Sequence, residues 1–217
     1  MNQATPVGGW GDEQQVDWYL ERIGRLEARQ AGERMLAEVL PDAPTSVLDL
    51  GCGDGALLAL TMQRRPSIER GVGIDRSEPM LARARERFAG DPRVRVREGD
   101  LNDAVTGLGT FDVIVSGFAI HHLARERKRE LFREIAALLN PGGVFANLEV
   151  VASETPELHA AFLAAIGRTT DDPEDQLATI EDQCVWLREA GLHNVGCLWR
   201  WRGFALLVAQ QGSSIAQ

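Results

Sequence analysis

The fold is decided by the stretch 47-VLDLGCGDGALL-58. A short apolar run ends in alternating glycines, and a second apolar run follows, which predicts a strand, a tight turn and a helix. Gly51, Gly53 and Ala56 match the G-x-G-x-x-G/A spacing of dinucleotide-binding turns. By itself, this spacing is only a weak indication of a nicotinamide cofactor.

Acidic residues around the turn argue against a phosphate-bearing ligand. Phosphates bind at a helix N-terminus because its N–H groups attract anions, whereas Asp49 and Asp54 would repel them. Two like charges about 4 Å apart cost about 4 kcal/mol at an effective dielectric constant near 20. Asp75 follows the turn at about the spacing, ~20 residues, of the acid that binds ribose in nucleotide folds. These residues favour a ligand that has ribose and adenine but carries positive charge.

An alternation of strands and helices begins at Val47 and predicts a doubly wound α/β fold with a mostly parallel sheet. Strands are predicted at residues 47–50, 71–75, 94–98, 111–118 and 144–151. In the third strand Val94 and Val96 alternate with arginines, so we place it at a sheet edge with one face in water. Two further strands, 194–201 and 203–210, have only a short connection, which requires an antiparallel hairpin.

The chain, residues 1–217, is predicted to be one domain with two additions to the alternating pattern. Residues 1–40 are predicted to form an N-terminal helical cap that Gly24 and Gly32 interrupt. Residues 152–180, which are acidic, are predicted to form a helical insertion. We expect this insertion to form part of a lid over the substrate.

Composition and charge narrow the possible partners. A net charge of −9 argues against a nucleic-acid partner, which would need concentrated lysine and arginine. The N-terminus does not resemble a signal peptide, and no apolar run approaches the ~18 residues of a membrane span. The three cysteines are scattered and form no C-x-x-C pair, which predicts no metal site, no disulfide framework and a cytoplasmic protein.

Several motifs resemble those of class I S-adenosylmethionine-dependent methyltransferases. They are VLDLGCGDG, the acid that ends GVGID, the acid in VREGDL, FDVIVSGFAIHHL at the fourth strand and LLNPGGVF at the fifth. The ordered set covers residues 45–150 and is most similar to small bacterial methyltransferase-11/25-like (type 12) enzymes. The resemblance implies a seven-stranded Rossmann-like sheet of order 3-2-1-4-5-7-6. It also implies S-adenosyl-L-methionine as cofactor, a cation without phosphate, with S-adenosyl-L-homocysteine as product.

The resemblance implies a donor site built from these motifs. Asp49 would face the methionine ammonium or orient the loop, and the glycines of the turn would let the backbone approach the ligand closely. Asp75 is expected at the ribose hydroxyls and Asp100 at the adenine amino group. The expected cofactor-binding residues are Asp49, Gly51, Cys52, Gly53, Gly55, Asp75, Arg76, Met80, Asp100, Leu101, Ser116 and Phe118. Met80 and Phe118 are also consistent with core packing.

His121 and His122 follow the fourth strand and are the candidate catalytic residues. Histidine titrates near neutrality and is the commonest general base. For each histidine taken alone, a structural role is favoured over a catalytic one. The candidate substrate contacts are Tyr19, Arg22 and Glu149. The charged run RERKRE, residues 125–130, is predicted to be a solvated helix face.

The predicted function is S-adenosylmethionine-dependent methyl transfer to a small-molecule acceptor by in-line displacement. Alignment and desolvation of the reactants would then be the main task of the protein. A small acceptor is favoured because no basic or RNA-binding module accompanies the motifs. Two alternatives stay open: an NAD(P)-dependent oxidoreductase on a Rossmann-like fold, and a module that binds S-adenosylmethionine without catalysis. We expect a monomer or a homodimer.

Overall fold

The computed structural model describes residues 10–23 and 26–213. The helices are α1 Glu13–Ile23, α2 Glu27–Val39, α3 Ala56–Arg64, α4 Glu78–Arg87, α5 Arg125–Leu138, α6 Pro156–Ala165 and α7 Ile180–Glu189. The strands are β1 Ser46–Leu50, β2 Arg70–Asp75, β3 Val94–Glu98, β4 Phe111–Gly117, β5 Leu139–Val150, β6 His193–Trp201 and β7 Phe204–Gln210. A short 3-10 turn, Ile120–His122, follows β4. Within the described residues, every helix falls short of the length and hydropathy needed to cross a bilayer.

The strands form a seven-stranded sheet of order β3-β2-β1-β4-β5-β7-β6. Strands β1 to β5 run parallel, and β7 pairs antiparallel with both β5 and β6. The predicted α/β class, strand order and C-terminal hairpin are therefore confirmed. Strand β3 lies at the edge of the sheet, and its arginines are exposed, as the alternation of its residues predicted.

Each face of the sheet carries an apolar core, because alternate residues of a strand point to opposite faces. On one face, Leu48 and Ile114 pack in a cluster with residues of α5 and α7. On the other face, Val47 and Val115 pack with residues of α2 and α3. The two cores hold the parallel strands so that their carboxyl ends lie at one edge of the sheet. The strand order reverses between β1 and β4, because the chain continues from β1 to β2 on one side and from β4 to β5 on the other.

The N-terminal cap differs from its prediction at Gly32. This glycine is buried inside α2, where a Cβ atom would come 2.6 Å from Leu148 Cδ1 on β5. The missing side chain lets the helix approach the sheet, so the predicted interruption at Gly32 was wrong. Gly24, the other predicted interruption, lies outside the described residues.

Two other segments also depart from the predicted boundaries. The helical insertion at residues 152–180 is helical only in α6, and residues 166–179 connect it to α7 without a helix or strand. Strand β5 begins at Leu139, before the proline and glycines expected to separate it from α5, and its pairing with β4 is irregular near Phe111.

Candidate functional site

A cavity of about 360 Å³ opens at the carboxyl ends of the parallel strands, beside the glycine turn. This is the edge at which open α/β sheets bind ligands. The predicted site residues that line it are Tyr19, Asp49, Gly51, Cys52, Gly53, Asp75, Arg76, Met80, Asp100, Leu101, Phe118 and His122. The structure thus brings together most of the predicted donor site with parts of α1 and the histidine turn.

Asp49 is the most unusual residue of this cavity. It lies on β1 between β2 and β4, and it is 0% exposed. Neither carboxylate oxygen has a hydrogen-bond partner among the described residues. Burial, with the nearby Asp75 carboxylate, raises the pKa of Asp49 to about 8. A buried carboxylate without a partner is costly, so the cavity at this point fits a cation.

The glycines of the turn serve two different purposes. Gly53 has φ 53°, and a Cβ atom there would have no neighbour closer than the Met80 sulfur at 3.8 Å, so its backbone faces open space in the cavity. Gly55 has φ 79° and is not among the residues that line the cavity in the described chain. A Cβ atom at Gly55 would lie 2.6 Å from the ring of Phe88, so this glycine makes room for a side chain from α4.

Asp75 ends β2 with both carboxylate oxygens held in place. Its Oδ2 accepts a hydrogen bond from the Gly53 amide and its Oδ1 from the Ser77 amide, both at 2.8 Å. Burial raises the pKa of Asp75, although these two amides oppose the shift. Each oxygen keeps a further lone pair, so the carboxylate can accept from two adjacent hydroxyl groups.

Asp100 and Leu101 stand on the far side of the same cavity. One Asp100 oxygen accepts from the amide and the side chain of Asn102, at 2.8 and 2.9 Å. The Leu101 carbonyl accepts from the buried guanidinium of Arg127 at 2.7 Å. These bonds fix the loop after β3 against α5, so the cavity has a rigid wall there.

Helices α1 and α2 cover the cavity with an aromatic and cationic surface. Arg29 donates to the Tyr19 hydroxyl at 3.0 Å and to Glu33 at 2.8 Å. Its guanidinium also lies over the Phe118 ring, 5.0 Å from the ring centre. The Ser77 hydroxyl, which caps α4, donates to the carbonyl of Trp10.

The charge of the cavity lining is predominantly acidic. Five carboxylate side chains line it, those of Asp49, Asp54, Asp75, Asp100 and Glu174, together with the guanidinium groups of Arg29 and Arg76. Arg76 pairs with Glu174 at 2.6 Å, so the other ionisable side chains of the lining are mostly acidic. An anionic ligand is disfavoured by this lining and a cationic one is favoured.

A second cavity of about 60 Å³ adjoins the first. The two share Trp10, Tyr19, Phe118 and His122 as a common wall. The remainder of the second cavity is lined by Gln15, Trp18, His121, Val150, Phe162, Leu163, Ile166, Arg168, Asp171, Asp172, Asp175 and Phe204. It is therefore an apolar and aromatic chamber with one polar side.

The polar side of the second cavity is built around His121 and His122, whose rings lie 3.9 Å apart. His121 Nδ1 lies 2.6 Å from Glu149 Oε1, which also accepts from the Val150 amide at 2.8 Å. On the other side of the ring, His121 Nε2 lies 3.4 Å from Asp175 Oδ1, and His122 Nδ1 lies 3.5 Å from the same oxygen.

The two histidines have opposite pKa shifts. Burial lowers the pKa of His121, but the carboxylates of Glu149 and Asp175 raise it more, so it lies above its ordinary value. Burial and the charge of His121 lower the pKa of His122 to about 3. His122 is therefore neutral over the working range of most proteins, whereas His121 has a carboxylate partner.

Lys128 corrects the interpretation of residues 125–130 as a solvated helix face. Its side chain is 1% exposed, and its ammonium donates to the carbonyls of His121, Leu123 and Gln176. Burial lowers the pKa of Lys128 to about 8. The bonds join the histidine turn to residues 166–179, which supply Asp175, so Lys128 fixes the polar side of the second cavity.

Four predicted site residues other than His121 do not line the larger cavity in the described chain, and the structure gives each of them another contact. Ser116 is buried and donates to the Leu50 carbonyl at 2.8 Å, joining β4 to β1. Arg22 donates to the Gly167 carbonyl at 2.6 Å, joining α1 to the end of α6. Glu149 contacts the Nδ1 atom of His121, and Gly55 packs against the ring of Phe88 at the end of α4.

Residues 47–143 match the family model described as a methyltransferase domain. An uncharacterized methyltransferase of Mycobacterium tuberculosis is 36% identical over 126 residues, which cover 58% of this chain and 59% of that protein. A trans-aconitate 2-methyltransferase of Acidovorax ebreus is 33% identical over 132 residues, which cover 60% of this chain and 48% of that protein. The match therefore spans only part of these curated relatives.

The fold also occurs in solved structures. An O-methyltransferase family protein from Burkholderia thailandensis matches 94% of this chain and 61% of its own chain, with a TM-score of 0.73 and 24% sequence identity. At that identity the match establishes a common fold.

Proposed function

We propose that this chain, whose residues 47–143 match the family model of a methyltransferase domain, transfers a methyl group from S-adenosylmethionine to a small-molecule acceptor. The observation that carries the proposal is the buried, unpartnered carboxylate of Asp49 in an acidic cavity beside the glycine turn. The methionine part of the donor has an ammonium group, which would supply the missing partner.

The other residues of the larger cavity fit the remainder of the donor. Both oxygens of Asp75 have lone pairs available for the ribose hydroxyls. Gly53 leaves open space in which the ligand can contact the backbone, and Asp100 is available for the adenine amino group. Arg29 is the group that would hold the donor carboxylate, since its guanidinium lines the same cavity.

The second cavity is the proposed acceptor site. S-adenosylmethionine supplies, when bound, an activated methyl group whose leaving group is neutral and needs no acid. The protein then has to align the acceptor, exclude water and take up any proton that the acceptor loses. Of the two histidines, His121 is better placed as a base, because Glu149 fixes its Nδ1 side and leaves Nε2 toward the second cavity.

The size of the second cavity suggests how the acceptor enters. A cavity of about 150 Å³ holds a benzene ring, and this one measures about 60 Å³. It accommodates the reacting group of an acceptor, and larger acceptors would need the cover to move. We propose that the cover is a lid made by residues 10–30 and 152–180, because Trp10, Tyr19, Glu174 and Gln176 line the larger cavity.

The alternatives are less well supported by the same cavity. The phosphates of NAD(P)H would meet the acidic side chains of Asp75 and Asp100, which line it. A module that binds the donor without catalysis would not need a polar chamber beside it. The acceptor, the oligomeric state (monomer or homodimer) and the cytoplasmic location stay predictions from the sequence.

The test is a transfer assay with methyl-labelled S-adenosylmethionine and fractions of small metabolites. We expect label in an acceptor, together with S-adenosylhomocysteine, only when protein and the right fraction are both present. Asp75→Asn should abolish transfer. Asp91→Asn should not, because Asp91 is a partly exposed acid that pairs with Arg93. Tight donor binding without transfer to any fraction would support the non-catalytic module, and binding of NADPH alone would support the oxidoreductase.

A further inference from the structure

We propose that His121, His122 and Asp175 form a binding site for one Zn²⁺-like divalent cation in the wall of the second cavity. The proposal rests on the proposed function only in treating that cavity as the acceptor site. It goes beyond the prediction of no metal site, which was drawn from the cysteines alone.

The distances within the cluster suit metal ligands better than hydrogen bonds. His121 Nε2 and His122 Nδ1 lie 3.4 and 3.5 Å from Asp175 Oδ1. Each of the three residues offers one possible ligand atom within 4.8 Å of those of the other two. A good N–H···O bond measures about 2.9 Å. Ligands of a tetrahedral Zn²⁺ with bonds of about 2.0–2.2 Å are about 3.3–3.6 Å apart. The two measured distances fall in that interval.

The surroundings of His121 match those of a metal-bound histidine. A ligating histidine usually donates its other ring N–H to a carboxylate, which fixes the tautomer. Glu149 stands in that place, 2.6 Å from His121 Nδ1, and the Val150 amide holds the carboxylate in turn. The proton then resides on Nδ1, and Nε2 presents a lone pair toward Asp175.

His122 provides a second independent indication. Its Nδ1 is buried and has no hydrogen-bond partner among the described residues, yet it points toward the same Asp175 oxygen. A buried nitrogen of this kind is costly unless something binds it. A cation between the three atoms would satisfy it.

The local charges are compatible with a cation. The Asp175 and Glu149 carboxylates offset its charge, and the neighbouring cations already have partners. Lys128 donates to three backbone carbonyls, Arg76 pairs with Glu174 at 2.6 Å, and Arg168 lies 3.6 Å from Asp172. Two imidazoles and one carboxylate favour Zn²⁺ and similar transition metals over Mg²⁺ and Ca²⁺, which prefer oxygen ligands.

The site implies a class of acceptor. Three protein ligands and an open position are typical of catalytic rather than structural zinc sites, and here the open position would face the second cavity. The cation would bind an acceptor oxygen and stabilise it after its proton has left to solvent. The acceptor would therefore carry a hydroxyl or carboxylate oxygen, and in the metal-loaded protein His121 would be a ligand rather than a base.

The direct experiment is calorimetric titration of the chelator-treated full chain with Zn²⁺, with Mg²⁺ as the control ion, and elemental analysis of the bound metal. We expect about one Zn²⁺ per chain and more than tenfold weaker binding in His122→Gln and Asp175→Asn. Glu149→Gln should weaken binding about 10–100-fold, as expected of a group that orients a ligand. Asp171→Asn is the matched control, since Asp171 lines the same cavity but pairs with His159 at 2.7 Å.

Thermal melts of every variant identify those that fail to fold. His122→Gln is the decisive variant, because His122 is the most exposed of the three ligands and its replacement disturbs the fold least. Absence of Zn²⁺ binding, or binding that His122→Gln and Asp175→Asn leave unchanged, would overturn the proposal. Titration with S-adenosylmethionine separates the two proposals. Donor binding without metal binding leaves the proposed function in place, and metal binding without donor binding leaves only the metal site.

Discussion

Replacing Asp49 by Asn should make the ligand-free protein more stable and its binding of S-adenosylmethionine much weaker. Burial raises the pKa of Asp49 to about 8, against about 3.9 in an unfolded chain. Because the folded-state pKa is raised, the protein is most stable with respect to this group below about pH 4 and loses stability as the pH rises toward 8. At pH 7 the folding stability lost through the raised pKa of Asp49, relative to its value below pH 4, amounts to about 4 kcal/mol.

The substitution removes this penalty but introduces a smaller one. A buried amide without partners costs about 1–3 kcal/mol, so the expected net gain at pH 7 is about 1–3 kcal/mol. For a chain of this size each kcal/mol raises the melting temperature by about 2–4 °C. We therefore expect a melting temperature several degrees above that of the unmodified protein, with a gain that shrinks as the pH falls toward 4.

Donor affinity should change in the opposite direction. Removing one partner of a buried charge pair costs about 2–5 kcal/mol, so Asp49→Asn should weaken S-adenosylmethionine binding at least about 30-fold. Thermal denaturation at several pH values and calorimetric titration measure the two effects, with Asp91→Asn as control. A variant that is less stable than the unmodified protein and binds the donor equally well would refute the assignment of Asp49 as an unpaired carboxylate that receives a cation.

Four further predictions concern Asp49, the glycine turn and Lys128. The affinity of the unmodified protein for S-adenosylmethionine should rise about tenfold per pH unit between pH 5 and 7, because Asp49 ionises more readily in the complex. Titrations of Asp49→Asn over the same pH range should show no such rise. Gly55→Ala should lower the free energy of unfolding by about 2–4 kcal/mol, because a Cβ atom there meets Phe88 and φ is 79°. Gly53→Ala should cost only about 1 kcal/mol in urea denaturation but weaken donor binding, since its Cβ would enter open cavity space. Lys128→Met should destabilise the protein by about 2 kcal/mol, because three carbonyls lose their partner. The neighbouring Arg129 has a side chain that is 41% exposed and pairs with Glu189, so Arg129→Met should change stability little. Equal effects of the two substitutions would contradict the buried role of Lys128.

The sheet could be predicted from the sequence because its determinants are local. The glycine turn follows β1 directly, the valines and arginines of β3 alternate, and the short connection after β6 permits only a hairpin. Strand order itself followed from the resemblance of the motifs to a known family. The boundaries of the cap depended on packing, as the burial of Gly32 against Leu148 illustrates.

That the proposed donor residues would lie around one cavity was largely predictable, and the polar chamber beside it was not. The proposed donor residues end successive strands, so the topology brings them together. The chamber depends on contacts between distant segments, such as the bonds from Lys128 to Gln176 and the approach of Asp175 to the histidines. A charged run such as RERKRE gives no local sign that two of its members, Arg127 and Lys128, will be buried.

The central claim is that a carboxylate-lined cavity receives a cationic adenosyl donor. Calorimetric titration of the purified chain at pH 7 with S-adenosylmethionine, and separately with NADH and NADPH, tests it most directly. The account predicts saturable binding of about one S-adenosylmethionine per chain and no measurable binding of either dinucleotide. Saturable binding of NADH or NADPH with no heat from S-adenosylmethionine would contradict it.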